Sequence, residues 1–267
     1  NSCLGEGSLR LNSTGGHNAA IGYRCMFSNT TGGSNTAIGN TALYSNTTGQ
    51  QNTAIGESAL YNNTTAIYNT AVGKSALFSL QTSNYNVGVG FQAGYSITTG
   101  DRHVAVGYQA LRNTTTGGEN TALGYAALNL NTTGSSNIAV GEEALKVNTT
   151  GNNNVAVGRE AMDANTTGIT NAALGVAALG KNTTGSYNTS LGSDTLFENT
   201  TANYNVAVGF EACKQTTTGG ENTAVGAFAL DANTGGSQST AIGYNALTNN
   251  TATANTAVGH QAARGNT

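Results

Sequence analysis

The chain contains no proline, no tryptophan and only three cysteines. Cys3, Cys25 and Cys213 are too few and too scattered for a disulfide framework, although a Cys3–Cys25 bridge near the N-terminus stays open. Charge is scarce as well: 9% of residues are Asp, Glu, Lys or Arg, against about 25% in ordinary soluble domains. Solubility therefore rests on Asn, Thr, Ser and Gln. A formal net charge of −3, with no basic stripe, argues against nucleic acid as a partner. No apolar run approaches the ~18 residues of a membrane span, and no signal-peptide pattern is present, so no membrane insertion is expected.

The groupings that carry catalysis are missing too. His17, His103 and His260 lie far apart. No Ser/His/Asp grouping, no Cys/His metal spacing and no recurrent pair of carboxylates is found, so no catalytic, metal or cofactor site is expected. The glycines do not follow phosphate-loop spacing. Calcium-binding β-roll repeats need an Asp at each turn, and Asp101 stands alone at its position.

What is present is repetition. A phrase Asn-Thr-Ala-Ile-Gly recurs, closing on Gly5, Gly22, Gly39, Gly56, Gly73 and onward to Gly243 in steps of 17 residues. The final step, to Gly259, is 16, a one-residue deletion around Thr251 to Ala254. A unit this short cannot enclose a core, and helical repeats need about twice the length, so stacking into a solenoid is the available solution. The predicted fold is an all-β, parallel β-solenoid of sixteen 17-residue coils in a single domain, 1–267. At a strand spacing of about 4.8 Å, sixteen coils predict a rod on the order of 75 Å long.

Within each coil Asn-Thr-Ala-Ile-Gly reads as the strand. Its Ile/Val ladder (Ile21, Ile38, Ile55, Val72, Val89, Val106), together with the Leu ladder (Leu43, Leu60, Leu77, Leu111, Leu128), is expected to form the apolar core. Cys213 stands where other coils have Leu and reads as a small buried hydrophobe. The opposite strand face carries Asn and Ala and is equally restricted, whereas positions after each glycine drift freely. That restriction predicts burial against another chain through Ala37, Ala54, Ala71, Ala105, Ala122 and Ala139. The segment containing Ala-Leu suits either a short strand or a helical turn, and strand is the preferred reading. Asn-Thr-Thr-Gly is turn chemistry. In coils five and six Leu80 and Ile97 replace the turn Asn and Gly94 replaces the core Leu, which suggests that Ile97 fills the space left by Gly94.

The phrase, as in Asn35-Thr36-Ala37-Ile38-Gly39 and Asn255-Thr256-Ala257-Val258-Gly259, resembles the head repeats of trimeric autotransporter adhesins (the YadA-like or Hep/Hag repeats) and related tail-fibre repeats. The resemblance covers essentially the whole chain, with a coil longer than is usual in that family. It implies a left-handed parallel β-roll, three chains around one axis, and a surface adhesin or fibre located outside the cell, on its surface or on a virion.

Three features are candidates for binding or modification. An aromatic file, Phe27, Tyr44, Tyr61, Phe78 and Tyr95, could contact sugars or a partner, or could simply stabilise the stack. Ten sequons begin at Asn12, Asn29, Asn46, Asn63, Asn113, Asn131, Asn148, Asn165, Asn182 and Asn199. Most share one repeat position, where glycans would crowd, so an Asn–Thr ladder serving the turn is preferred over glycosylation. Thr30, Thr47, Thr64 and Thr132 form a hydroxyl ladder that would suit ice binding. The leading expectation is a self-associating structural fibre or adhesin segment whose main partner is itself, with surface glycans or a host receptor as further partners.

The chain enters at the strand motif and stops at Asn266-Thr267 in the turn, with no capping element at either end. Uncapped coils expose unpaired backbone groups, so the ends are expected to stack head to tail on other copies or to continue into a longer fibre.

Overall fold

A strand of three residues holds too few hydrogen bonds to persist unless like strands flank it. The computed structural model describes residues 1–265 and has that arrangement: sixteen parallel strands, one per coil, stacked as a β-solenoid with no helix among the described residues. Asn266 and Thr267, on which the reading of the last turn depends, lie outside the described residues.

The chain divides into two compact units. The first, residues 1–136, holds β1 (Ser2–Leu4), β2 (Ala19–Ile21), β3 (Thr36–Ile38), β4 (Thr53–Ile55), β5 (Thr70–Val72), β6 (Val87–Val89), β7 (Val104–Val106) and β8 (Thr121–Leu123). The second, from Asn137 onward, holds β9 (Ile138–Val140), β10 (Val155–Val157), β11 (Ala172–Leu174), β12 (Thr189–Leu191), β13 (Val206–Val208), β14 (Thr223–Val225), β15 (Thr240–Ile242) and β16 (Thr256–Val258). Register is strict in both. In the first unit Thr36, Ala37 and Ile38 pair with Thr53, Ala54 and Ile55. In the second, Thr240 pairs with Thr256 and Ile242 with Val258, so the one-residue deletion is absorbed before the strand begins.

The two strand faces are the reverse of the sequence expectation. Ala37, Ala54, Ala71, Ala105, Ala122 and Ala139 are fully buried inside their own chain and are not an inter-chain face. The Ile/Val ladder points out: Ile38 is 39% exposed and Ile55 37%. Alternation along a strand separates two faces without saying which one is inward. The interior is thin, and thinness decides it. At Gly88, which takes the Ala position in β6, an added Cβ would stand 2.8 Å from Leu77 Cγ, so the wall carrying Leu leaves room for little beyond a methyl group. Coil twelve makes the same point with polar atoms, since Ser190 takes the Ala position and donates its hydroxyl to the Thr195 carbonyl at 2.9 Å.

The segment containing Ala-Leu is a turn and not a strand. Thr41 (φ +53°) and Leu43 (φ +52°) are left-handed while their neighbours are not, and the pattern recurs in each coil. Alternation sends successive amides to opposite neighbours: Thr41 N–H donates to Tyr23 O at 2.9 Å and Leu43 N–H to Ala59 O at 2.9 Å. The Leu side chains remain the core, with Leu43, Leu60, Leu77, Leu111 and Leu128 fully buried. Each contributes roughly 1.5–3 kcal/mol by burial, which offsets the cost of a left-handed backbone, itself about 1–3 kcal/mol for a non-glycine residue. The glycine closing each strand is obligatory for a second reason. Gly56 has φ +130°, and a Cβ there would lie 2.6 Å from the carbonyl of Gly73 in the next coil.

Two files of buried amides complete the interior. Asn35 Nδ2 donates to Gly49 O at 2.9 Å, and its Oδ1 accepts the Asn52 N–H at 2.9 Å. Asn46 Nδ2 reaches the same Gly49 carbonyl at 3.0 Å and Asn29 Oδ1 at 2.7 Å. The turn carbonyls, facing inward where water cannot follow, are thereby satisfied. In coils five and six the turn file becomes apolar. Leu80 and Ile97 are fully buried, and Ile97 Cδ1 lies 2.9 Å from where a Cβ on Gly94 would stand, so Ile97 does fill that space.

Asn52→Ala would strand the Asn69 N–H, which Asn52 Oδ1 accepts at 3.0 Å, and would leave the Ala66 carbonyl, now held by Asn52 at 2.8 Å, with only the longer 3.4 Å bond from Asn63 Nδ2. With a penalty of about 1–3 kcal/mol for an unpaired buried group, a loss of about 1–3 kcal/mol is expected in denaturant unfolding.

Candidate functional surface

Outward positions recur at every second residue across the strand, so each coil presents a row of four side chains. In coil six the row is Tyr85, Val87, Val89 and Phe91, and in coil thirteen it is Tyr204, Val206, Val208 and Phe210. Neither row carries a charge. Parallel sheets are ordinarily covered on both faces, yet here only the Asn/Ala face is covered by the chain's own core. On the outer face of β1–β8 the last residue of every strand is Leu, Ile or Val, beside a file of Thr and Val with one Ser and one Ala, and the outer face of β9–β16 repeats the Leu/Ile/Val file beside Thr, Val, Ile and Ala. Where Ala172 interrupts the outer file between Val155 and Thr189, a shallow apolar pocket of about 340 Å³ opens beside Val157, Leu174 and Leu191.

Stacked rings border this face. Tyr68 and Tyr85 stack at 5.3 Å on one margin. Phe91, Tyr108 and Tyr125 stack at 5.4 and 5.3 Å on the other. Tyr187 and Tyr204 repeat the first margin in the second unit at 5.1 Å. These margins were missed in the sequence because the positions after glycine look variable. Their signal is the 17-residue spacing of aromatics on the same parity as Thr36 and Ile38, legible only once that parity is known to face outward.

The aromatic file singled out from the sequence is a separate feature on another wall. Phe27, Tyr44, Tyr61, Phe78 and Tyr95 are half-buried and stack at 5.0–5.3 Å with interplanar angles of 3–12°. Arg10 lies over the Phe27 ring at 5.5 Å and Arg112 over the Tyr95 ring at 5.8 Å, one at each end. The ring faces are thus occupied by each other and by guanidinium groups, leaving edges for any outside partner. Stacking of this kind is worth about 0.5–1.5 kcal/mol per pair beyond area burial, which makes the file a stabilising ladder.

The sequon asparagines divide by burial. Asn29, Asn46, Asn63, Asn131, Asn148, Asn165, Asn182 and Asn199 are fully buried, so the alternative of glycosylation has no exposed acceptor at these positions in the folded chain. Their amides belong to the turn file, as when Asn182 Nδ2 donates to Asn165 Oδ1 at 2.9 Å. Asn12 is half-exposed but donates to Gly15 O at 3.0 Å. Asn113 is also half-exposed, because Thr114 takes the inward position beside it. The turn threonines are occupied in a similar way: Thr30, Thr47 and Thr64 donate their hydroxyls to the carbonyls of Thr47, Thr64 and Gln81 at 3.0–3.1 Å. Thr132 lies in the same file.

All three cysteines are free thiols, so Cys3 and Cys25 are not bridged. Cys3 is exposed, while Cys25 donates to the Ala37 carbonyl at 3.1 Å and Cys213 fills a Leu position. Burial pushes both Cys25 and Cys213 up to about 12. Among the described residues no group of three or more His, Cys, Asp or Glu is placed to hold a metal ion, and no helix is long and apolar enough to cross a membrane. Comparison with known protein families, with curated proteins and with solved structures finds no match to this chain.

A thiol reagent that attacks the thiolate should therefore modify only Cys3 in the native chain at pH 8, and all three cysteines after unfolding. Fast native modification of Cys25 or Cys213 would contradict their burial.

Proposed function

We propose that this chain is a non-catalytic, self-associating structural or adhesive protein of the extracellular space or a cell or virion surface, and that its copies meet through the outer face of the sheet. The observation that carries this reading is the bare Ile/Val/Leu file beside the Thr/Val file, bordered by Tyr and Phe. Strands about 10 Å wide, stacked eight deep at about 4.8 Å, give each unit an apolar face on the order of 400 Å² before the bordering rings are added. A patch of that size matches the largest on an ordinary monomer, which is often functional, and the bordering rings enlarge it. Two such faces bring together about 800 Å², below the roughly 1,200 Å² of a standard specific contact, so the strand files alone make a weak contact that the bordering rings must extend.

A second copy is the occupant favoured by this surface. Its own coils repeat at the same spacing, so ridges of Ile and Val on one copy meet furrows of equal period on the other. Charge in the rows is confined to their outer positions, where Glu57 pairs with Lys74 at 2.9 Å and Glu119 with Arg102 at 2.6 Å, so the two central files carry no charge to keep copies apart. Ring edges at the margins give a larger ligand, such as a glycan or a receptor, a place to touch the assembly without entering the contact.

Replacing Ile55 and Val89 together with Lys tests the assignment, because both side chains point outward and neither supports the core. Sedimentation at micromolar concentration should show an oligomer for the native chain and a single chain for the double variant, with unchanged circular dichroism. A native chain that sediments alone over that range would remove the basis for the proposal.

A further inference from the structure

His103 is the one titratable side chain in the inner Asn file that precedes the strands. It is fully buried. At this position an asparagine does two things: its oxygen accepts the backbone N–H of the residue 17 ahead, and its Nδ2 donates to a turn carbonyl 14 ahead, as Asn52 does with Asn69 and Ala66. The imidazole imitates both with less margin. Nδ1 accepts the Asn120 N–H at 3.2 Å, which places the proton on Nε2. Nε2 faces the Gly117 carbonyl without closing a hydrogen bond, and no other partner meets it. Below, the His103 N–H is held by Asn86 Oδ1 at 2.9 Å.

An amide oxygen remains an acceptor in mild acid, and an imidazolium has no acceptor at all. Once Nδ1 is protonated, its N–H points at the Asn120 N–H, and two donors confront each other in a space that excludes water. We propose that the junction between His103 and Asn120 is an acid-operated latch, closed at neutral pH and released on protonation of the ring, while the Asn-linked junctions stay shut.

The surroundings oppose protonation on balance. Burial pulls the ring from 6.5 down to about 4, against weaker pulls upward from the Gly117 carbonyl and the Asp101 carboxylate; the Asn120 N–H, a donor aimed at Nδ1, itself favours the neutral ring. Asp101 is itself engaged, accepting the Asn84 N–H at 2.6 Å. The other charged groups nearby, Arg102 and Glu119, pair with each other at 2.6 Å on the surface. With the folded ring neutral down to about pH 4 and an unfolded histidine protonated below 6.5, the open form binds more protons within that window. Closure is therefore complete above it and weakens as pH falls through it.

The file supplies its own comparison. Ser239, the other departure from Asn, keeps a non-titrating acceptor, and its hydroxyl takes the Asn255 N–H at 3.3 Å. Acid therefore singles out one junction in the first unit.

Amide hydrogen exchange on the full chain between pH 7 and pH 4, corrected for intrinsic rates, reads the latch directly. Protection at Asn120 should fall by about a hundredfold across this range, as expected for a ring whose pKa differs by that much between closed and open forms. Asn69, held by Asn52, serves as the internal reference and should fall far less. His103→Asn restores the file and should abolish the extra loss at Asn120. Parallel loss at Asn69 and Asn120 in the native chain, or an undiminished loss in the Asn variant, would overturn the proposal.

Discussion

Each coil must return its backbone to the same place 17 residues later, because most hydrogen bonds of this protein run between coils, those within a coil being short bonds across its turns such as Ala42 N–H to Gly39 O and Asn46 N–H to Leu43 O. That requirement fixes much else. A glycine must close each strand, since at Gly56 the next coil passes too near for a side chain. The return wall must alternate between right- and left-handed residues so that Thr41 and Leu43 can bond to opposite neighbours. The two walls then lie so close that from β2 onward the strand carries inward only small residues, Ala with Gly88 and Ser190 as exceptions, and bulk is forced outside. An apolar outer face thus follows from a thin interior held in strict register.

Much of this was legible in the residues. The 17-residue glycine period gave the coil length, the strand position and the solenoid, and a Leu ladder at fixed spacing gave half of the core. The orientation of Ala37 and Ile38 was not legible, because alternation is symmetric and bulk suggested the interior. What could have broken the symmetry is Asn35: a file of amides has no use on a surface against another chain, but inside it bonds turn carbonyls and backbone N–H groups that water cannot reach. The uniformity of Asn and Ala did report burial, and only the identity of the covering chain was misread.

The left-handed residues were hidden for a different reason. Gly and Asn usually announce positive φ, but here Leu, Ser, Gln and Glu adopt it because packing and coil-to-coil bonding outweigh the local preference. Gly94 at a Leu position, with Gly7 and Asn245 at the Thr41 position, betrays the backbone beneath. The aromatic file was visible at once, yet its role turned on how the rings lie. Rings perpendicular to the stacking direction cover one another, and Arg10 and Arg112 close the series.

The turn amides also point one way. Asn63, Asn46 and Asn29 each donate to the amide of the preceding coil at 2.7 Å, ending at Asn12. Asn199, Asn182 and Asn165 do the same at 2.8–3.0 Å, ending at Asn148. Aligned amides polarise one another, and their moments add as peptide dipoles do along a helix. Each run of four is then a small electret, positive toward the earlier coil. Within each run, opposite ends differ in sign even though every link is the same neutral side chain.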